Sequence, residues 1–252
     1  MAKPISTFLH AVSRVVKAAV GVLLIPPVIG LLGGVRAQLQ AVPVGSKTFF
    51  DWAVAGLSGY VTLHLLLYQP AGLFRVQHRL LSGLALWLFG GQVSTTGDKG
   101  ARKKNKDDSV GAPHGSTLVV VSPYVVPLYP ILVCAGAWAL KRWLPAPAGT
   151  LGGPGDPSLV EAPAAVLVGA TLAMHWVMTA DALQGGGRTG ARGRLPFDTH
   201  LIALGMIGVI SLLALGAALP MAVDGVSLPA ILSDALSRAG AIYAAVIQHL
   251  FF

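Results

Sequence analysis

Long apolar runs separated by short polar connections make up most of the chain. Several runs reach or approach the roughly 20 apolar residues that a helix needs to cross a bilayer core. The predicted segments are 18–35, 52–68, 73–93, 116–140, 162–183, 201–223 and 231–252. The pattern predicts an all-α fold, a polytopic membrane helix bundle of about six segments that forms one integral membrane domain over residues 1–252. The C-terminal part, 224–252, carries Asp234 and Arg238 and is predicted to span the membrane or to lie amphipathically along its surface.

Composition excludes the soluble classes. Hydrophobic residues make up 54% of the chain and charged residues only 11%, whereas soluble domains carry about a quarter charged residues. The net charge of +8 comes from lysines and arginines that sit mainly between apolar runs, which indicates membrane topology rather than nucleic-acid binding. The predicted partner is the lipid bilayer. The single cysteine, Cys134, lies inside an apolar stretch and is predicted to be a small core residue.

Two basic connections, 94–115 and 184–197, are predicted to be cytoplasmic loops. We expect the protein to lie in a bacterial cytoplasmic membrane. A cytoplasmic N-terminus then requires an even number of crossings before residue 94, whereas three apolar segments precede it. One of the three is therefore predicted to be partial or re-entrant, either the first, with Pro26 and Pro27, or the charge-bearing third.

Prolines interrupt the fourth segment. Pro123 and Pro127 fall in its first half and Pro130 lies just past its middle, and proline removes a backbone donor and breaks a helix. A helix broken within a membrane must be buried against neighbours or line a cavity. This predicts a pocket within the bundle, although small transporters also place broken helices around their sites.

The third segment carries the densest set of ionisable groups. Arg75, His78, Arg79 and Ser82 follow helical spacing and share one face. The stretch VQHRLLSGLALWLFGGQV resembles the zinc helix of site-2-protease-like intramembrane metallopeptidases, in which H-E-L-T-H precedes an apolar run and a Phe-Gly-Gly turn. The resemblance puts His78 at the first histidine, Arg79 at the glutamate and Ser82 at the second histidine.

Other stretches resemble the same family. GYVTLHLLLYQP is similar to the helix before the zinc motif, SPYVVPLYPILV to the broken helix after the loop, and TLAMHWVMT, with His175, to the later helix that precedes an aspartate ligand. The departures concern the chemistry. Ser82 is a poor zinc ligand, Arg79 is no base, and Asp181 does not fall where the aspartate is expected. The resemblance therefore implies a pseudo-metallopeptidase without catalytic zinc or other cofactor, which acts by binding a membrane-protein partner.

Several alternatives remain open. An active zinc protease would need displaced ligands, for which His64, His78, His175 and Asp181 are the candidates. A small membrane transporter is the second alternative. Arg75, His78 and Arg79 are equally explained as a helix end that reaches into the lipid headgroups, and His64 and His175 as hydrogen-bonded core histidines. Gly56-Leu57-Ser58-Gly59 resembles the G-x-S-G element of rhomboid-type serine proteases, with His175 or His200 as base, but it is typical of closely packed membrane helices. The sequence does not specify an oligomeric state.

Overall fold

A computed structural model describes residues 3–66, 71–89, 124–143, 158–183 and 197–251. This part of the chain is an all-α bundle with one short hairpin, which confirms the predicted fold class. Its helices are α1 (Lys3–Leu23), α2 (Ile25–Gln40), α3 (Phe49–Leu66), α4 (Ala71–Phe89), α5 (Leu128–Trp143), α6 (Ser158–Leu183), α7 (Phe197–Ala222) and α8 (Leu228–Phe251). The predicted basic loops 94–115 and 184–197 lie outside the described residues, except for Phe197, with which α7 begins.

Five stretches of the described chain are long and apolar enough to cross a membrane. They are Val15–Gln40, Phe49–Leu66, Leu159–Asp181, His200–Ala222 and Leu228–Phe251. The protein is therefore an integral membrane protein. The C-terminal helix α8 has the length of a spanning segment, whereas α4, the predicted third segment, is not among the five. That one of the first three segments is partial or re-entrant stays a prediction.

The first segment departs from its expected form. Only Leu24 separates α1 from α2, and its backbone still continues the helical pattern: its N–H donates to Val20, and its carbonyl accepts from Val28. Pro26 and Pro27 lie in the first turn of α2, where a missing N–H costs no hydrogen bond. The two prolines therefore leave the segment nearly continuous instead of breaking it.

A two-stranded hairpin, unpredicted by the apolar pattern, joins α2 to α3. Strands β1 (Pro43–Val44) and β2 (Lys47–Thr48) pair antiparallel, and Gly45 takes a positive φ of 62° in the turn. Thr48 then caps α3 because its N–H and hydroxyl donate to Asp51 Oδ2 while the Asp51 N–H donates back to the Thr48 hydroxyl. This reciprocal arrangement is a capping box, and it fixes where the second span begins.

Two closely approaching helix pairs organise the bundle. Helix α3 packs against α6 where Gly56 faces the Val166 carbonyl and Gly169 faces the Ala53 carbonyl. Helix α2 packs against α8, with Gly30 and Gly34 against the backbone of the later helix. Small residues allow membrane helices to approach this closely. The core between the pairs is apolar, and its fully buried members include Phe49, Cys134, Ala165, Leu219 and Ile231. Cys134 is the core residue that its sequence context predicted.

An ion pair joins three elements at one end of the bundle. Lys141 near the end of α5 lies 2.5 Å from the Glu161 carboxylate of α6 and 3.3 Å from Asp224, just after α7. The Glu161 side chain is only 10% exposed, whereas that of Asp224 is 95% exposed. Burial weakens solvent screening, so the contact with Glu161 is the stabilising one.

Replacing Lys141 by methionine is expected to lower the free energy of unfolding by about 2 kcal/mol, because the nearly buried Glu161 carboxylate loses its cation. Asp224→Asn is the matched control and should change stability by less than about 0.5 kcal/mol, since exposed pairs contribute little. Unfolding in detergent micelles measures both. Equal effects of the two substitutions would contradict this ranking.

Candidate functional site: a buried histidine network

Helix α6 carries a fully buried histidine. His175 has no exposed surface, and Thr179, one turn later on the same face, is 1% exposed. The neighbouring positions of α6 are mostly small or apolar, and this helix packs mainly against α3 and α5. A polar ring in this place must find partners within the protein, because the bilayer core supplies none.

Gln77 of α4 supplies the first partner. Its Nε2 lies 3.2 Å from the Val126 carbonyl oxygen and 3.1 Å from His175 Nδ1. A carbonyl only accepts, so the atom beside it is the amide nitrogen, and its second hydrogen is directed to the ring. His175 Nδ1 therefore accepts a hydrogen bond and carries no proton. In the neutral imidazole the ring proton then resides on Nε2.

The other ring nitrogen faces α7 and the segment before α5. The Ser211 hydroxyl lies 3.5 Å from His175 Nε2 and 3.1 Å from the Val125 carbonyl, and it also contacts the Ile207 carbonyl. The ring additionally hydrogen-bonds the backbone of Tyr124. Both nitrogens of His175 are thus engaged by protein groups, which makes His175 a hydrogen-bonded core residue.

Side chains of this network hydrogen-bond the backbone where the predicted fourth segment is broken. The chain is non-helical at Val126 and Pro127, and α5 begins only at Leu128. Ser211 shares its single hydroxyl hydrogen between the Val125 and Ile207 carbonyls, and Gln77 donates to Val126, so buried side chains contact the carbonyls at the break. The break is therefore buried against neighbours, one of the two outcomes expected of a broken membrane helix. Pro123 and the rest of 116–123 lie outside the described residues.

Aromatic and sulfur side chains border the network. Met174 and Met178 of α6 pack with three tyrosines, Tyr60, Tyr124 and Tyr129. The Tyr129 hydroxyl donates to the Leu73 carbonyl over 2.7 Å and ties α5 to α4. Across the described residues, Thr179 Oγ1 and Trp176 Nε1 are buried side-chain atoms without a hydrogen-bond partner. The polar network is therefore enclosed in an otherwise apolar setting.

The residues singled out in α4 are not those that meet His175. Arg75 and Arg79 are exposed and Ser82 is half-buried, while Gln77 and Leu81, one turn apart, form the buried face. His78 lies within α4, but its side chain is outside the described set. Sequence reasoning missed Gln77 and Ser211. The available signal was an uncharged polar residue within the apolar part of each helix, which is easily overlooked beside arginines and histidines.

The candidate metal ligands are distributed over several helices. His64 of α3 pairs with Tyr60, whose hydroxyl lies 3.4 Å from its Nδ1, and Asp181 lies six residues beyond His175 on α6. The side chains that the structure describes include no cluster of three or more histidine, cysteine, aspartate or glutamate residues able to hold a metal. An amide N–H directed at His175 Nδ1 also occupies the lone pair that zinc would need. The groups around His175 therefore do not fit a zinc centre.

The glycine-serine element of α3 acts in packing. Gly56 faces the α6 backbone, whereas Ser58 is exposed. His200, the other histidine considered as a base, donates to the Leu183 carbonyl over 2.8 Å. Gln77 and Ser211 are side chains that hydrogen-bond His175. The geometry therefore agrees with helix packing as the role of this element.

Comparison of the chain with protein-family models, curated proteins and solved structures gives no significant match.

Proposed function

We propose that this protein is a non-hydrolytic integral protein of the bacterial cytoplasmic membrane, that it resembles the site-2-protease-like metallopeptidases in architecture, and that it binds a transmembrane segment of a partner protein. The observation that carries the proposal is the engagement of both His175 nitrogens. Gln77 donates to Nδ1, Nε2 faces Ser211, and the ring also hydrogen-bonds the backbone of Tyr124. A histidine held in this way serves to fix helices rather than to exchange protons with a substrate.

Peptide hydrolysis within a membrane needs a metal-activated water or an activated nucleophile. The motif positions of α4 provide neither, since Arg79 cannot act as a base and Ser82 is a poor zinc ligand. At His175 the neighbouring groups are an amide donor and a hydroxyl whose single hydrogen is shared between the Val125 and Ile207 carbonyls. A bundle without a reactive centre acts through what it binds, and in a bilayer the accessible partners are lipids and other membrane helices.

The transporter alternative depends on backbone carbonyls freed at the broken segment, which in transporters coordinate ions or substrates. Here the Val125 and Val126 carbonyls accept hydrogen bonds from Ser211 and Gln77. Their engagement leaves little for a transported ion to bind. This observation favours partner binding over transport.

The absence of hydrolytic chemistry is tested by metal content. Protein purified in mild detergent without chelator is expected to contain less than about a tenth of a zinc, iron or manganese ion per chain. His78→Ala and His175→Ala should leave that value unchanged, because neither histidine holds a metal. A stoichiometry near one that falls in either variant would instead support an active protease with displaced ligands.

Partner binding is tested by photo-cross-linking in native membranes. A photoreactive residue is placed at the exposed positions Leu63 of α3 and Leu236 of α8. The proposal expects a protein adduct at one position or both. Mass spectrometry then identifies the captured protein, which must bind the purified chain in nanodiscs. Only lipid adducts at both positions, or an adduct that does not bind after purification, would argue against it.

A further inference from the structure

Helix α4 presents an apolar stripe along its length. Five large side chains recur at helical spacing and are each about half exposed or more. They are Leu73, Val76, Leu80, Leu84 and Trp87. A regular stripe of this kind requires an apolar environment outside the protein.

Helix α4 has two further faces, one buried and one cationic. Gln77 and Leu81 are buried, and Gln77 ties the helix to Val126 and His175. Arg75 and Arg79 are exposed and lie about a third of a turn from the apolar stripe, at about 100° per residue. One face thus contacts protein, a second is apolar, and a third is cationic.

The position of Arg79 decides between a spanning and an in-plane orientation. It lies at the centre of α4, eight residues after Ala71 and ten before Phe89. In a spanning helix this exposed guanidinium would sit near the middle of the hydrocarbon, where a charge is strongly unfavourable. With α4 in the plane of the membrane surface, the stripe contacts acyl chains while both arginines reach the headgroups. The described helix is also not among the stretches able to span.

The contact between Gln77 and α6 indicates how deep α4 lies in the membrane. His175 lies six residues before Asp181, the end of a candidate span. At 1.5 Å per residue, Gln77 meets α6 about 9 Å inside that end. Interfacial helices bury their apolar faces about 5–10 Å below the headgroup boundary. The depth of α4 and the arrangement of its three faces therefore both indicate an interfacial helix.

We propose that α4 is an interfacial helix whose Arg75 and Arg79 bind the anionic phospholipid headgroups of the leaflet at the Asp181 end of α6. The complementary charge selects an anionic lipid surface as the partner. Trp87 near the end of the stripe suits the same boundary, where tryptophan is enriched. This inference is independent of the proposed partner protein, because it concerns only how α4 meets the lipid.

Spin labels on the stripe test the orientation. Cys134 is the only native cysteine, so single cysteines at Val76, Leu80 and Leu84 are introduced in a Cys134→Ala background and labelled. The depth of each label in a nanodisc is measured from its collision rates with oxygen and with a nickel complex. An interfacial helix places the three labels at one depth, within about 3 Å, whereas a spanning helix would spread them over about 12 Å and overturn the proposal.

Lipid selectivity tests the arginines. Electron spin resonance of labelled phosphatidylglycerol and phosphatidylcholine measures which lipid the protein prefers. Arg75→Gln/Arg79→Gln is expected to lower the preference for phosphatidylglycerol at low salt about fivefold per arginine. Arg238→Gln on α8, also exposed, should keep most of the preference. Equal preferences in the wild type and the double variant, or an equal loss in Arg238→Gln, would overturn the assignment.

Discussion

Alanine at Gly56 is expected to lower the free energy of unfolding by about 3 kcal/mol, because its methyl group cannot fit between α3 and α6. A Cβ atom at this position would lie 1.9 Å from the Val166 carbonyl oxygen, which belongs to rigid helix backbone. The helices must move apart to admit it, and the contacts beside Gly56 then weaken. Gly169→Ala should have a similar effect, since its Cβ would meet the Ala53 carbonyl at the same distance.

Gly59 provides the matched control for this prediction. It lies three residues later on α3 and has no atom within 4 Å of an added Cβ. Gly59→Ala is expected to leave stability unchanged or to raise it slightly, since alanine favours the helix. Reversible unfolding of the variants in mixed micelles gives the comparison. If the free energies of unfolding of Gly56→Ala and Gly59→Ala lay within about 0.5 kcal/mol of each other, the result would contradict the close approach of α3 and α6.

The second large effect is expected at Gln77. Gln77→Met keeps the length of the side chain but removes the amide that donates to Val126 and His175. An acceptor left unsatisfied in an apolar interior costs about 1–3 kcal/mol, so the loss should be about 2 kcal/mol or more. Leu80→Met, at an exposed position one turn away, should change stability by less than about 0.5 kcal/mol.

A double-mutant cycle separates the network from simple packing. In Gln77→Met/His175→Leu the ring nitrogen that Gln77 would abandon is absent, so the double variant should lose less stability than the sum of the single variants. Thermal unfolding in detergent gives each value. Strict additivity would mean that the Gln77 amide and the His175 ring stabilise the fold independently, contrary to the direct hydrogen bond.

The sequence predicts the helices well because long apolar runs leave the membrane as their only favourable environment. It predicts their partners poorly for the same reason. Helices α6 and α7 are apolar on nearly every face, so periodicity does not tell which face meets which neighbour. The close approach at Gly56 and Gly169 requires two glycines over a hundred residues apart each to face the backbone of the other helix, and a single sequence carries no sign of that pairing.

The functional site, too, is predicted only in part from the sequence. The prolines around Val126 predict the broken segment, because proline lacks a backbone donor. The side chains that satisfy the break, Gln77 and Ser211, are ordinary uncharged residues that carry no recognisable motif. The arginines of α4 drew attention through their charge, yet they lie on the exposed faces. A charged residue in an apolar run indicates a functional constraint without telling which side of the helix bears it.

The pairing of α2 with α8 has a consequence for biogenesis. Gly34 meets the Ile231 backbone, a residue that the ribosome adds about 200 residues later, after roughly 10–40 s of elongation. Throughout that interval the glycine face of α2 lacks its native neighbour and is open to other newly inserted helices. Assembly of this bundle must therefore be completed after the last helix has left the translocon, and an early transmembrane hairpin cannot mature alone.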